Sequence, residues 1–134
     1  MSKKEEYRQR NEAFLAEKRM QEGVKELRGG VLYEVLATGA EGPTAGPRSV
    51  VTCHYRGGLI SGKTFDDSFV RKCPEAFRVN DLISGFQIAL VNMHVGDHWR
   101  VYIPWEMGYG NRGAGSQIPG YSTLVFEIQL IAIG

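Results

Sequence analysis

Cysteine and histidine are scarce in this chain. Its 134 residues hold two cysteines, Cys53 and Cys73, and three scattered histidines, His54, His94 and His98. No metal-type or redox-type spacing occurs, so no metal site and no cofactor is expected. Cys53 sits in the strand-like run VVTCHY, where a buried structural thiol is favoured over a disulfide. An excess of charge is missing too: 16 Lys and Arg stand against 15 Asp and Glu. With no basic face, nucleic acid is not an expected partner. No apolar run approaches the roughly 20 residues that cross a bilayer, so no membrane contact is expected. The start, Met1-Ser2-Lys3-Lys4, leads into a charged stretch without an apolar signal core. The expected compartment is therefore the cytoplasm, with the periplasm as the alternative if a leader has been removed.

Motifs for covalent and nucleotide chemistry are also absent. There is no P-loop, and GYGNRGAG follows a strand but opens no helix, unlike a dinucleotide fingerprint. No serine lies on a nucleophile elbow. Asp66 and Asp67 are neighbours, which on a strand sends their side chains to opposite faces and spoils a carboxylate pair.

What is present is 43% apolar and 23% charged residues, the balance of a globular domain with a real core. Lys3 to Leu27 reads as one helix, rich in strong formers, with Phe14, Met20, Val24 and Leu27 near one face. Two readings stay open for it: a solvated helix packed on its own domain, or an association element. Arg28-Gly29-Gly30 ends it and begins a hinge. This divides the chain into a helical extension, 1–28, and a main domain, 29–134.

Strands follow by alternation at Val31–Ala37 and Ser49–Arg56, the latter with Val51, Cys53 and Tyr55 on one face. A hairpin turning at Ser61-Gly62 delivers Phe65 and Asp66, an irregular connection covers Phe69–Glu75, and a short strand spans Ala76–Val79. Asp81–Met93 contains the one internal helix. His98–Ile103 alternates Trp99, Val101 and Ile103 against His98, Arg100 and Tyr102, as a half-buried antiparallel strand does. A loop with five glycines between Met107 and Tyr121 then leads to the apolar strand from Leu124. Such a loop, hinged on core strands with Tyr109 at its root, is the natural cover of a binding site. The expected class is α+β: a curved antiparallel sheet of five to six strands around one short helix, preceded by the helical extension.

Three segments, VVTCHYRGGLISGKTFDDS, DLISGFQIALVNMHVGDHWRVYIP and GYGNRGAGSQIPGYSTLVFEIQL, resemble an FKBP-type peptidyl-prolyl cis-trans isomerase over about residues 30 to 134. The N-terminal FLAEKRMQEGVKELRGGVLYEVL is similar to the helix and linker of the bacterial macrophage-infectivity-potentiator-like branch. The resemblance implies an apolar pocket for the prolyl ring between sheet and helix. It places Tyr55, Phe65, Asp66 and Tyr109 in the catalytic set. Substrate would be held by Phe77, Leu82, Ile83, Phe86, Ile118 and Phe126. Two departures are plain: Phe86 stands where the family usually has tryptophan, and Gly120 where relatives commonly carry proline, which is expected to loosen the flap. The implied partners are proline-containing polypeptides and macrolide inhibitors, with the chain a monomer or a weak dimer through its N-terminal helix. The alternative function is a weakly active or non-catalytic binding module with the same fold.

Overall fold

The computed structural model describes every residue from Met1 to Gly134. Its body is a seven-stranded sheet with every pairing antiparallel. In chain order the strands are β1 (Lys25–Glu26), β2 (Leu32–Ala37), β3 (Val50–Leu59), β4 (Thr64–Asp67), β5 (Glu75–Arg78), β6 (His98–Ile103) and β7 (Leu124–Ile133). They lie in the order β1-β2-β6-β7-β3-β4, and β5 also pairs with β3. The long strand β7 sits near the middle, between β6 and β3. There Leu124, Phe126, Ile128 and Leu130 are buried at every second position, because alternate side chains leave opposite faces of a strand.

One face of the sheet packs against the helix α3 (Ser84–Leu90). Phe86, Ile88, Ala89 and Leu90 of this helix join Val51, Cys53, Trp99, Val101, Ile103 and the β7 residues in the main core. Seven residues of helix have little intrinsic stability, so the apolar burial on this face is what holds α3 in place. The opposite face carries a second, smaller cluster of Leu15, Leu32 and Tyr102, closed by Phe14, Val24 and Val125.

That second cluster is the work of α1 (Lys3–Arg19). Ser2 caps its start by accepting from the Glu5 N–H at 3.1 Å. Glu5 and Glu6 in the first turn and Lys18 and Arg19 in the last complement the helix dipole. The helix stops well short of the expected Leu27. The chain turns at Gly23, and Lys25 and Glu26 pair with Tyr33 and Leu32 as an edge strand. Ladder hydrogen bonds to β2 there replace the helical ones, which residue propensity does not foresee. Met20 is left 86% exposed, while Phe14 and Val24 pack on the sheet. The anticipated hinge at residues 28–30 is a tight kinked turn in which Gly29 and Gly30 both take left-handed φ, +74° and +78°.

Two further expectations change. Residues 69–75 are not wholly irregular, because Ser68–Arg71 form a one-turn helix, α2, so α3 is not the one internal helix. Asp67 caps α2, accepting from the Val70 N–H at 3.2 Å. Tyr102, assigned to the solvent side of β6, is 2% exposed because α1 lies over it. Its hydroxyl donates to Glu34 at 2.5 Å. Burial, followed by that carboxylate, pushes the phenol up to about 12.

Candidate active site

A concave pocket of about 300 Å³ opens between the sheet and the N-terminal end of α3. Its floor is Phe86, 3% exposed, meeting Phe126 edge-on at 5.1 Å between ring centroids and Tyr55 at 6.0 Å. Phe77 closes one side, edge-on to Tyr55 at 5.6 Å, and Phe65 stands edge-on to Phe126 at 5.8 Å. Edge-to-face contacts of this kind set the ring orientations as well as burying area. Leu82, Ile83 and Tyr109 complete the apolar rim.

Strand register explains why these rings converge. Gly57 of β3 faces Phe126 of β7 on one side and Asp66 of β4 on the other, so the three lie in one row across the sheet. A Cβ on Gly57 would come within 2.6 Å of Phe126 and 2.8 Å of Phe65. The missing side chain is the space into which both rings lean.

The polar group inside this aromatic box is Asp66. One carboxylate oxygen accepts a short hydrogen bond from the Tyr55 hydroxyl, and the other accepts from Arg71 at 2.7 Å. Partial burial on its own would raise the Asp66 pKa, but the Tyr55 hydroxyl and the Arg71 guanidinium outweigh it and hold the acid below its ordinary range. Burial, and then the carboxylate, push the Tyr55 phenol up to about 12. Asp66 is thus a fixed anion and Tyr55 a neutral donor at ordinary pH.

α2 positions this group. On the edge of β3, residues 50–53 pair with β5 and residues 56–58 pair with β4, which leaves a gap at His54 and Tyr55. The buried hydroxyl of Ser68 fills it, accepting from the Tyr55 N–H at 2.7 Å and donating to the Tyr55 carbonyl at 3.2 Å. Three residues later α2 delivers Arg71 to Asp66. At the pocket mouth, two donors are left without acceptors in the chain: the Ile83 N–H, just ahead of α3, and the Tyr109 hydroxyl. Nowhere do three His, Cys, Asp or Glu side chains gather as a metal site would require.

Of the ten residues named from the sequence, nine line this pocket: Tyr55, Phe65, Asp66, Phe77, Leu82, Ile83, Phe86, Tyr109 and Phe126. Ile118 does not. It is 6% exposed, packed into the main core, and its backbone forms a small bridge with Ala114. Asp81 joins the lining, and Arg71 completes the polar group; neither was named from the sequence. An acidic cap followed by a basic residue is the one local signal for Arg71, and four residues are too few to show a helical period. Gly120, the departure noted in the flap, lies where the loop passes the backbone of Asn111. A Cβ there would fall on the backbone of Asn111, so the chain crosses itself at a separation that glycine alone allows.

Comparison with known proteins agrees with this geometry. Residues 42–131 match the family described as FKBP-type peptidyl-prolyl cis-trans isomerase. The chain is 43% identical over 120 residues to the FKBP-type 22 kDa peptidyl-prolyl cis-trans isomerase of Escherichia coli, covering 90% of this chain and 58% of that protein. It is 34% identical over 131 residues to the outer membrane protein MIP of Legionella longbeachae, covering 98% of this chain and 56% of that one. It therefore spans a little over half the length of these curated relatives. A crystal structure of a peptidyl-prolyl cis-trans isomerase from Pseudomonas syringae pv. tomato superposes with a TM-score of 0.91 at 39% identity, covering 100% of this chain and 98% of that one. From the matched domain, the relatives and the shared fold, this chain belongs to the FKBP-type peptidyl-prolyl cis-trans isomerase family.

Proposed function

We propose that the pocket accelerates rotation about Xaa-Pro peptide bonds in proline-containing polypeptides, as an aid to protein folding. The uncatalysed barrier, about 18–20 kcal/mol, comes from amide resonance. Exchange takes about 10–100 s at room temperature. In the twisted transition state that resonance is lost, and with it much of the charge separation between carbonyl and nitrogen. An apolar box that admits the prolyl ring therefore favours the twisted form over the planar one relative to water, without a nucleophile or a proton transfer. Each 1.36 kcal/mol of such preference is about tenfold in rate.

The observation that carries this reading is the pairing of six aromatic rings with a carboxylate whose two oxygens are both occupied. A carboxylate so engaged is a poor proton acceptor; its role is electrostatic, facing the twisting amide. Phe86, Phe126, Tyr55, Phe77 and Ile83 hold the ring, with the Ile83 N–H and the Tyr109 hydroxyl free for substrate carbonyls. The same two donors suit a macrolide that presents carbonyl groups above an apolar ring. Ile118 supports the loop from within the core.

An NMR exchange or protease-coupled assay on Xaa-Pro peptides tests the proposal. Acceleration by the full chain is expected, inhibited by a macrolide such as rapamycin. Asp66→Ala and Tyr109→Phe should lower kcat/KM without unfolding the chain. No acceleration by the unaltered protein would refute the reading.

We assign the isomerase unit to residues 29–134 and the helical extension to 1–28. With Phe14 and Val24 packed against the chain's own sheet, the helical extension leaves only Met1 and Met20 as exposed large apolar side chains, which favours a monomer over the weak dimer. Sedimentation of the full chain decides this, and a concentration-dependent rise in mass would reverse it. No helix is long and apolar enough to cross a membrane. For the compartment, the name of the L. longbeachae relative supports the periplasmic alternative rather than the cytoplasmic one. Cell fractionation of the native host tests it.

A further inference from the structure

α1 does more than cover the sheet, because its N-terminal half grips both ends of the loop that carries Tyr109. At the far end, Asn11 is fully buried and accepts from the Thr123 N–H at 2.8 Å through its side chain and from the Thr123 hydroxyl at 3.2 Å through its carbonyl. The Asn11 amide in turn donates to the Tyr7 carbonyl at 2.8 Å. Ser122 gives its one hydroxyl hydrogen to Pro119 at 2.7 Å, so the Tyr7 hydroxyl is the donor in its 2.6 Å bond to Ser122. At the near end, Glu12 accepts from the Trp105 indole at 3.1 Å. Arg8 lies over both Trp105, at 5.3 Å, and Tyr121, at 4.8 Å, and these two rings meet edge-on at 4.8 Å. Tyr121 itself has a φ of +65°, a left-handed conformation that a tyrosine keeps only when its surroundings impose it.

A helix serving only to bury apolar surface would make apolar contacts, whereas this half of α1 meets the loop through directional hydrogen bonds and ring faces. Such contacts fix position. We propose that Asn11, Tyr7 and Glu12 are positioning residues of the active site: acting through the loop from Trp105 to Thr123, they hold Tyr109 ready to receive a substrate carbonyl. The proposal rests on the isomerase reading above. With the loop fixed beforehand, ordering it is not charged against substrate binding, so its release should appear in KM rather than in kcat.

The experiment uses the full chain with Tyr7→Phe/Glu12→Ala, a half-buried and surface pair, and separately with Asn11→Ala. Hydrogen exchange of amides 108–120 is followed beside that of β3 and β7, and kcat and KM are measured on an Xaa-Pro peptide. Loop amides should exchange roughly tenfold faster with the sheet unchanged, KM should rise about fivefold, and kcat should stay within about twofold. Added to Tyr109→Phe, the double variant should raise KM no further, since the positioned hydroxyl is already gone. Unaltered loop exchange, a fall in kcat that tracks the folded fraction at constant KM, or a full further loss in the Tyr109→Phe background would each overturn the proposal. Should Asn11→Ala fail to fold, the double variant decides alone. A native chain without isomerase activity would refute the isomerase reading instead, and loop exchange would then judge the grip by itself.

Discussion

Arg71 approaches Asp66 from the side opposite Tyr55, donating at 2.7 Å to the oxygen that Tyr55 leaves free. The guanidinium is exposed and also reaches Glu75 at 3.3 Å, so its importance lies in where it holds the carboxylate. Arg71→Ala should leave folding stability essentially unchanged while lowering kcat/KM by roughly fivefold, less than Asp66→Ala does. Steady-state kinetics on the two variants checks the order. Equal activity in Arg71→Ala and the parent would show that Tyr55 alone is enough to orient the acid.

The shifted groups give a pH signature at both ends. Asp66 has a lowered folded pKa, so its stabilising contribution is present above the unfolded value of about 3.9 and is lost as the pH falls through the folded one. Tyr55 and Tyr102 have raised values near 12, so theirs is present below the unfolded value of about 10 and is lost between there and 12. Ultraviolet titration of phenolate should find two late-ionising tyrosines, one removed by Tyr55→Phe and the other by Tyr102→Phe. Removal of neither would contradict the assignment.

Phe86 forms a floor smaller than the family's usual tryptophan. Phe86→Trp should strengthen macrolide binding, measured by calorimetry, and change the isomerase rate by no more than about threefold, under roughly 0.7 kcal/mol of barrier. A much larger rise in rate would mean that the native pocket binds far better than it catalyses, and would favour the binding-module reading.

Ser68→Ala removes one hydroxyl and strands the N–H and the carbonyl of Tyr55 at once. Leaving buried backbone groups unpaired costs about 1–3 kcal/mol, and urea unfolding should show a loss of that order. Activity should fall with it, since Tyr55 and α2 both move. Full stability in the variant would mean that water replaces the serine.

Most of the fold was legible because most of it obeys a period of two. His98–Ile103 is bounded as its alternation predicts, and Val51, Cys53 and Tyr55 share one face as expected, which is the buried one. What failed to show depends on partners distant in sequence. The end of α1 is set by pairing with β2, and the burial of Tyr102 by a helix more than 80 residues upstream. Arg71 needed a turn too short for any pattern. Ile118 looked like pocket because its motif lies in the loop over the site, yet its side chain fills the core beneath.

The gap in β3 has a consequence for how the pocket's width is set. Strand pairing spaces neighbouring chains at about 4.8 Å and leaves little to adjust. At Tyr55 the neighbour is instead a serine at the head of α2, joined on either side to β4 and β5 by short connections. Lengthening or shortening the 72–74 connection would therefore shift Arg71, and with it Asp66, without re-registering any strand. In this architecture the mouth of the pocket can be retuned by insertion and deletion while the sheet beneath it stays in register.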